Sequence, residues 1–240
     1  MPPPITRQLV RLGSDLRLEP VVEFSPVFYA RQEHLSPEGS LKEMALEWQH
    51  YWELCLADSG LHLQPLFPGS WLVPLSRLTD PHVLRELLRV PLQYVDAAEA
   101  QTEPLLERVT ALTGGHALLD GEHVVLTPRC CCDLGYLVSW ENAARLKCNG
   151  FWMGHPQVFA SWEEPWLALC EDEPYWEGVC REWHLSPLVL GRAARAARKE
   201  QEDFARRLVP LLSDRFPPGE ARSLAFHLAG LDGLEDPGVS

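Results

Sequence analysis

No apolar run in this chain approaches the ~20 residues a helix needs to cross a bilayer. The N-terminal stretch Met1-Pro2-Pro3-Pro4-Ile5-Thr6-Arg7 lacks the roughly 7–15-residue apolar core of a secretory signal, so a cytoplasmic protein without a membrane partner is expected. The phosphate-handling signatures are missing too: there is no Walker loop and no G-x-G-x-x-G. Nor is there a G-x-S-x-G elbow, an H-E-x-x-H helix, or a C-x-x-C pair of the kind that presents thiolates to zinc. Positive charge is scarce. Lys and Arg number 21 against 34 Asp and Glu, a net charge of −13. Such a surface repels nucleic acid and anionic lipid and attracts cationic partners.

What is present is ordinary globular material. The 240 residues are 46% hydrophobic and 23% charged, enough to bury a core without staples. The chain reads as one α+β domain over 1–240, with a frayed acidic tail at 231–240. A mixed or antiparallel sheet of short strands, flanking helices and a long C-terminal helix are expected. Short apolar pieces punctuated by Pro20, Pro26 and Pro37 predict edge strands in the first forty residues. Ser40 and Glu43 form the pattern of a capping box for a helix over 41–56. Asp80-Pro81 opens another helix to about residue 88, and Thr102 a third that Gly114-Gly115 closes. Asp120-Gly121 between apolar runs predicts a hairpin over 116–127 with a type I′ turn. Strands are expected at 151–153, 158–162 and 166–170, and a long helix at 187–209 that Pro210 ends or kinks.

Two regions carry candidate chemistry. The first holds Cys130, Cys131, Cys132 and Asp133, followed by Cys148 and His155. Cys131 or Cys132 with His155 and Asp133 supplies the residue types of a thiol nucleophile, its base and an orienting carboxylate. Cys130, Cys132, Cys148 and His155 supply four soft or borderline metal donors. Against both stands a plainer reading, in which Asp133 caps a turn and Gly154-His155-Pro156 is a tight corner. Adjacent cysteines make a poor disulfide framework, and buried thiols in a reducing cytosol account for them. The second region interleaves acids with aromatics: Trp162, Glu163, Glu164, Trp166, Glu171, Asp172, Glu173, Tyr175, Trp176 and Glu177. Aromatic anchors with a negative rim suit a basic protein partner better than they suit a carboxylate-pair glycosidase. Arg192, Arg195 and Lys199 set a cationic seam on the C-terminal helix, which pairs with acidic groups of the same chain or supports an oligomer.

The segment from Cys130 to Gly135, with Trp140 and Trp152-Met153-Gly154-His155-Pro156, resembles a set of uncharacterised bacterial proteins with a CC-x-DL-x-D…W…W-x-G-H-P signature. Tyr136 takes the place of the second acidic residue. Small acidic proteins of this kind are similar to immunity proteins of polymorphic toxin systems, including the SUKH group, whose Gly-Gly pattern Gly114-Gly115 matches. The resemblance implies inhibitory binding to a toxin and brings no catalytic residue with it. The expectation is therefore a cofactor-free, non-enzymatic protein that covers a basic toxin domain with its acidic, tryptophan-rich surface. The rival is a metal- or thiol-dependent enzyme centred on the Cys130, Cys132 and His155 region.

Overall fold

A computed structural model describes residues 6–93, 95, 104–171 and 179–231. Among these residues, eight strands and five α-helices make an α+β protein with two four-stranded sheets, β1-β8-β7-β6 and β3-β2-β4-β5. The chain divides into two compact units built from interleaved segments: Met1–Pro20 with Thr113–Gln201, and Val21–Leu112 with Glu202–Ser240.

The first unit contains β1 (Thr6–Arg11), β4 (Gly114–Asp120), β5 (His123–Leu126), α3 (Leu137–Ala144), β6 (Val158–Glu163), β7 (Trp166–Glu171) and β8 (Val179–Leu185). Residues 187–201 of the long helix α4 (Pro187–Ser213) complete it. β6, β7 and β8 pair antiparallel, whereas β1 runs parallel to β8, from Thr6↔Val179 to Arg11↔His184. In-register partners share a face of a sheet. Leu167 with Leu185, and Leu169 with Trp183, point into the core. There they join Trp140, Phe151, Leu190 and Ala194, with Trp140 and Phe151 edge-to-face at 5.0 Å.

The second unit contains α1 (Ala45–Ala57), β3 (Leu72–Pro74), α2 (Pro81–Leu92), the remainder of α4 and α5 (Pro218–Leu228). The strand β2 (Leu16–Glu23) runs through the boundary, and its residues 21–23 pair with β3. Trp52, Phe24 and Tyr29 anchor the interior, with Trp52 Nε1 donating to Phe24 O at 2.7 Å. Asp58, just past α1, pins the segment after Tyr29. Its carboxylate accepts from the Arg31 and Gln32 amides (2.9 and 3.2 Å) and contacts His34 Nε2 at 2.9 Å. The Arg31 amide first, then His34, holds that carboxyl below the usual range.

Several expected elements are shifted for identifiable reasons. The Ser40–Glu43 box forms, with Glu43 N donating to Ser40 Oγ at 3.3 Å and Ser40 Oγ bonded to Glu43 Oε2 at 2.6 Å. It closes a separate turn, however, and α1 starts at Ala45. Asp80 caps α2 through His82 N at 2.7 Å. Of the helix expected from Thr102, residues 101–103 lie outside the described residues, and Leu105–Glu107 form only a 3-10 turn. Gly114-Gly115 opens β4 and stops no helix. Both sit at positive φ, 142° and 129°, and a side chain on Gly115 would come within 3.0 Å of Pro128 Cβ. The 116–127 hairpin is present, but Asp120 pairs with His123, so the two loop residues are Gly121 and Glu122, and only Gly121, the first, has positive φ, as in a type II′ turn and not the expected type I′. β2 is an interior strand despite Pro20. Residues 151–153 form no strand, while β8 and α5 occupy stretches where none was expected. α4 carries Pro210 inside it and continues to Ser213, held by buried Phe204, Leu208 and Leu212.

Candidate functional site

The face of the β1-β8-β7-β6 sheet turned away from the core mixes polar and apolar side chains. Ser161, Ala168, His184 and Arg11 form one cross-strand row, Phe159, Cys170, Glu182 and Leu9 form the next, with Phe159 and Leu9 exposed, and Glu163 with Trp166 extends the face at the hairpin end. Strand alternation does this: Glu182 and His184 are two residues apart, so both leave the side opposite Trp183. Their side chains are only 6% and 8% exposed, and His184 Nε2 lies 2.5 Å from Glu182 Oε1. From two strands away, the Glu163 carboxylate reaches within 3.7 Å of the same nitrogen. Only the methyl of Ala168 stands between β6 and β8 in that row, which leaves Glu163 room to cross. Arg11 lies over the Trp166 ring, 5.5 Å from its centroid.

At the end of this sheet the β6–β7 hairpin projects the acidic-aromatic residues. Trp162 is 41% exposed, Glu163 and Glu164 are exposed, and Trp166 is half-buried under Arg11. Glu171 is committed elsewhere, to an ion pair with Arg129. Trp183, from the same acidic stretch, belongs to the core. Asp172, Glu173, Tyr175, Trp176 and Glu177 lie outside the described residues.

The cysteine region is an architectural corner. His155 N donates to Cys130 O at 3.3 Å, and Arg129 N donates to Met153 O at 2.9 Å, so residues 129–130 and 153–155 run side by side. Gly154 sits at φ +93°, where a Cβ would lie 2.4 Å from Cys130 O; only glycine lets the two segments approach. Asp133 accepts from Gly135 N at 2.8 Å and caps the turn into α3. The His155 ring stands edge-on to Trp152 at 4.6 Å. Cys130 meets His155 through the backbone, its thiol donating to the His155 carbonyl at 3.4 Å. The thiols are pushed away from thiolate: Cys132 up to about 12 by burial, Cys131 up by its hydrogen bond to Cys130, and Cys148 up by burial. An activated nucleophile needs the opposite shift. Among the described residues, one group of three or more His, Cys, Asp and Glu has ligand atoms within 4.8 Å of one another, and it is Glu163, Glu182 and His184. Cys130, Cys132, Cys148 and His155 are not gathered in that way. Cys130, Cys131 and Cys132 are free thiols, as are Cys55 and Cys148, whereas Cys170 is disulfide-bonded.

The basic seam of Arg192, Arg195 and Lys199 is exposed on α4. Its neighbours on the same helix pair within the chain: Arg198 makes a two-point ion pair with Glu141 (2.6 and 2.7 Å), and Arg206 pairs with Asp203 at 2.6 Å. Arg195 lines a shallow cleft of about 190 Å³ with Arg145, Glu141 and exposed Leu188.

Sequence reasoning missed Glu182 and His184 as a pair. The signal was period-two alternation in Val179–Leu185, Glu182 and His184 out, Trp183 and Leu185 in, hidden by the flanking acids. No helix among the described residues is long and apolar enough to cross a membrane. No family model, curated protein or solved structure matches the chain.

Proposed function

We propose that this chain is an acidic, cytosolic binding protein that occludes a cationic protein partner, in the manner of an immunity protein neutralising a basic toxin domain. The observation that carries this reading is the exposed hairpin end, where Trp162 is 41% exposed and Glu163 and Glu164 are exposed, on a chain of net charge −13. Large amphipathic rings of this kind supply binding energy once desolvated, and long-range attraction between opposite charges raises the encounter rate.

The test is calorimetric titration, with surface plasmon resonance for the rates, against the C-terminal domain of a secreted toxin encoded beside this gene. Raising salt from about 0.1 M to about 1 M shrinks the Debye length from about 10 Å to about 3 Å. Affinity should fall at least tenfold over that range. Trp162→Ala should raise the dissociation rate by about tenfold or more, as expected for an anchor residue. Glu164→Lys should slow association. Binding indifferent to salt and to both substitutions overturns the proposal, as does absence of binding.

A further inference from the structure

We propose that Glu163, Glu182 and His184 form a site for a divalent transition-series cation, zinc being the natural probe, on the face of the β1-β8-β7-β6 sheet turned away from the core. Three observations converge. The donor set is one imidazole nitrogen and two carboxylates, with ligand atoms mutually within 4.8 Å. A nitrogen donor favours zinc and its neighbours over magnesium or calcium, which take all-oxygen shells. Ligands around a tetrahedral ion at ~2.1 Å stand about 3.4 Å apart. The separations here, 2.5 Å for Glu182 and 3.7 Å for Glu163 from His184 Nε2, bracket that value.

The second observation is donor arithmetic. His184 Nε2 carries at most one hydrogen, and Glu182 at 2.5 Å takes it. Glu163 is left at 3.7 Å, beyond hydrogen-bond reach, with no hydrogen-bond donor among the described residues. Arg11, the cation nearest in register, is engaged with the Trp166 ring and pairs with no carboxylate among those residues. A divalent ion would satisfy both carboxylates and the imidazole at once.

The third is construction. Glu182 and His184 are nearly buried on one strand and so held in place, while Glu163, 47% exposed, closes the site from the solvent side. Ala168 leaves the path between them clear. Three protein ligands with one side open is the arrangement that keeps coordination positions for water or an external group.

The experiment titrates chelator-stripped, full-length protein with zinc chloride alone, without any protein partner, so its outcome is independent of the binding function proposed above. One zinc per chain is expected. Glu163→Gln, at an exposed position that threatens no core, should weaken binding at least tenfold, and His184→Gln should abolish stoichiometric uptake. A Cys130→Ser/Cys131→Ser double variant should bind as the wild type does. Cobalt(II) in place of zinc should show d–d bands without a sulfur-to-cobalt charge-transfer band. Absence of stoichiometric uptake overturns the proposal. So does uptake that survives Glu163→Gln, or uptake lost in the double cysteine variant.

Discussion

Gly154 shows how a single residue decides whether a motif is chemistry or architecture. Its missing Cβ would lie 2.4 Å from Cys130 O and 2.8 Å from Arg129, inside contact distance of backbone that cannot swing aside. Gly150 also has positive φ, +79°, yet nothing lies within 4 Å of the Cβ it lacks. The pair separates close approach from backbone strain. Gly150→Ala should cost about 1 kcal/mol, the price of a left-handed conformation. Gly154→Ala should cost about 3 kcal/mol, because overpacking adds to that strain. Urea unfolding of both variants measures the difference, and equal losses would show that the corner does not depend on close packing. Of the cysteines beside it, Cys130 and Cys131 are exposed and Cys132 alone is packed inside. Cys132 is buried and its thiol raised to about 12 because burial penalises the thiolate, so it acts as a small apolar side chain.

At the scale of elements, His116 ties β4 to α4. It is fully buried, donates from Nε2 to Gln201 Oε1 at 3.1 Å, and leaves Nδ1 without a partner. Gln201 in turn donates to Leu134 O at 2.9 Å, so strand, helix and the turn before α3 share one buried polar chain. Burial pulls the imidazole down from 6.5 to about 4; the Gln201 bond and Glu141 oppose this, and Arg198 adds to it. A histidine whose folded pKa is depressed binds fewer protons folded than unfolded between those values. Its neutral form therefore stabilises the fold fully above about pH 6.5, and that contribution is lost as pH falls toward 4. The loss is about 3 kcal/mol. Stability measured by denaturant between pH 7 and 4 should fall more steeply in the wild type than in His116→Gln, by roughly that amount. Parallel pH profiles would exclude the buried imidazole as the source.

The whole molecule is organised discontinuously. The first compact unit takes Met1–Pro20 from one end of the chain and Thr113–Gln201 from the middle. β1 pairs along the whole of its length with β8, and Leu12, Leu16 and Leu18 belong to the same core as Trp140 and Trp183. A fragment of residues 113–201 lacks that strand and those three leucines. It exposes a sheet edge and an incomplete core. It should not fold, while the same fragment joined to 1–20 through a flexible linker should recover a cooperative melt and dispersed NMR spectrum. A folded 113–201 fragment would show that β1 is dispensable.

What was legible in the sequence was whatever depends on near neighbours. The α+β class, the capping contacts of Ser40 with Glu43 and of Asp80, the Asp120-Gly121 hairpin, the β6–β7 hairpin and the start of α4 are written in spacings of a few residues, because caps, turns and amphipathic periods are local. Tertiary packing decided the rest. It extended α4 past Pro210, since burying Leu208 and Leu212 outweighs one missing amide donor. It turned Gly114-Gly115 from a helix stop into a strand entry, and Cys130 and His155 into a backbone corner. It placed Glu163 beside Glu182 and His184, residues about twenty positions away that no local pattern connects. Which side chains converge across strands is set by register, and register is chosen by the core on the far side of the sheet.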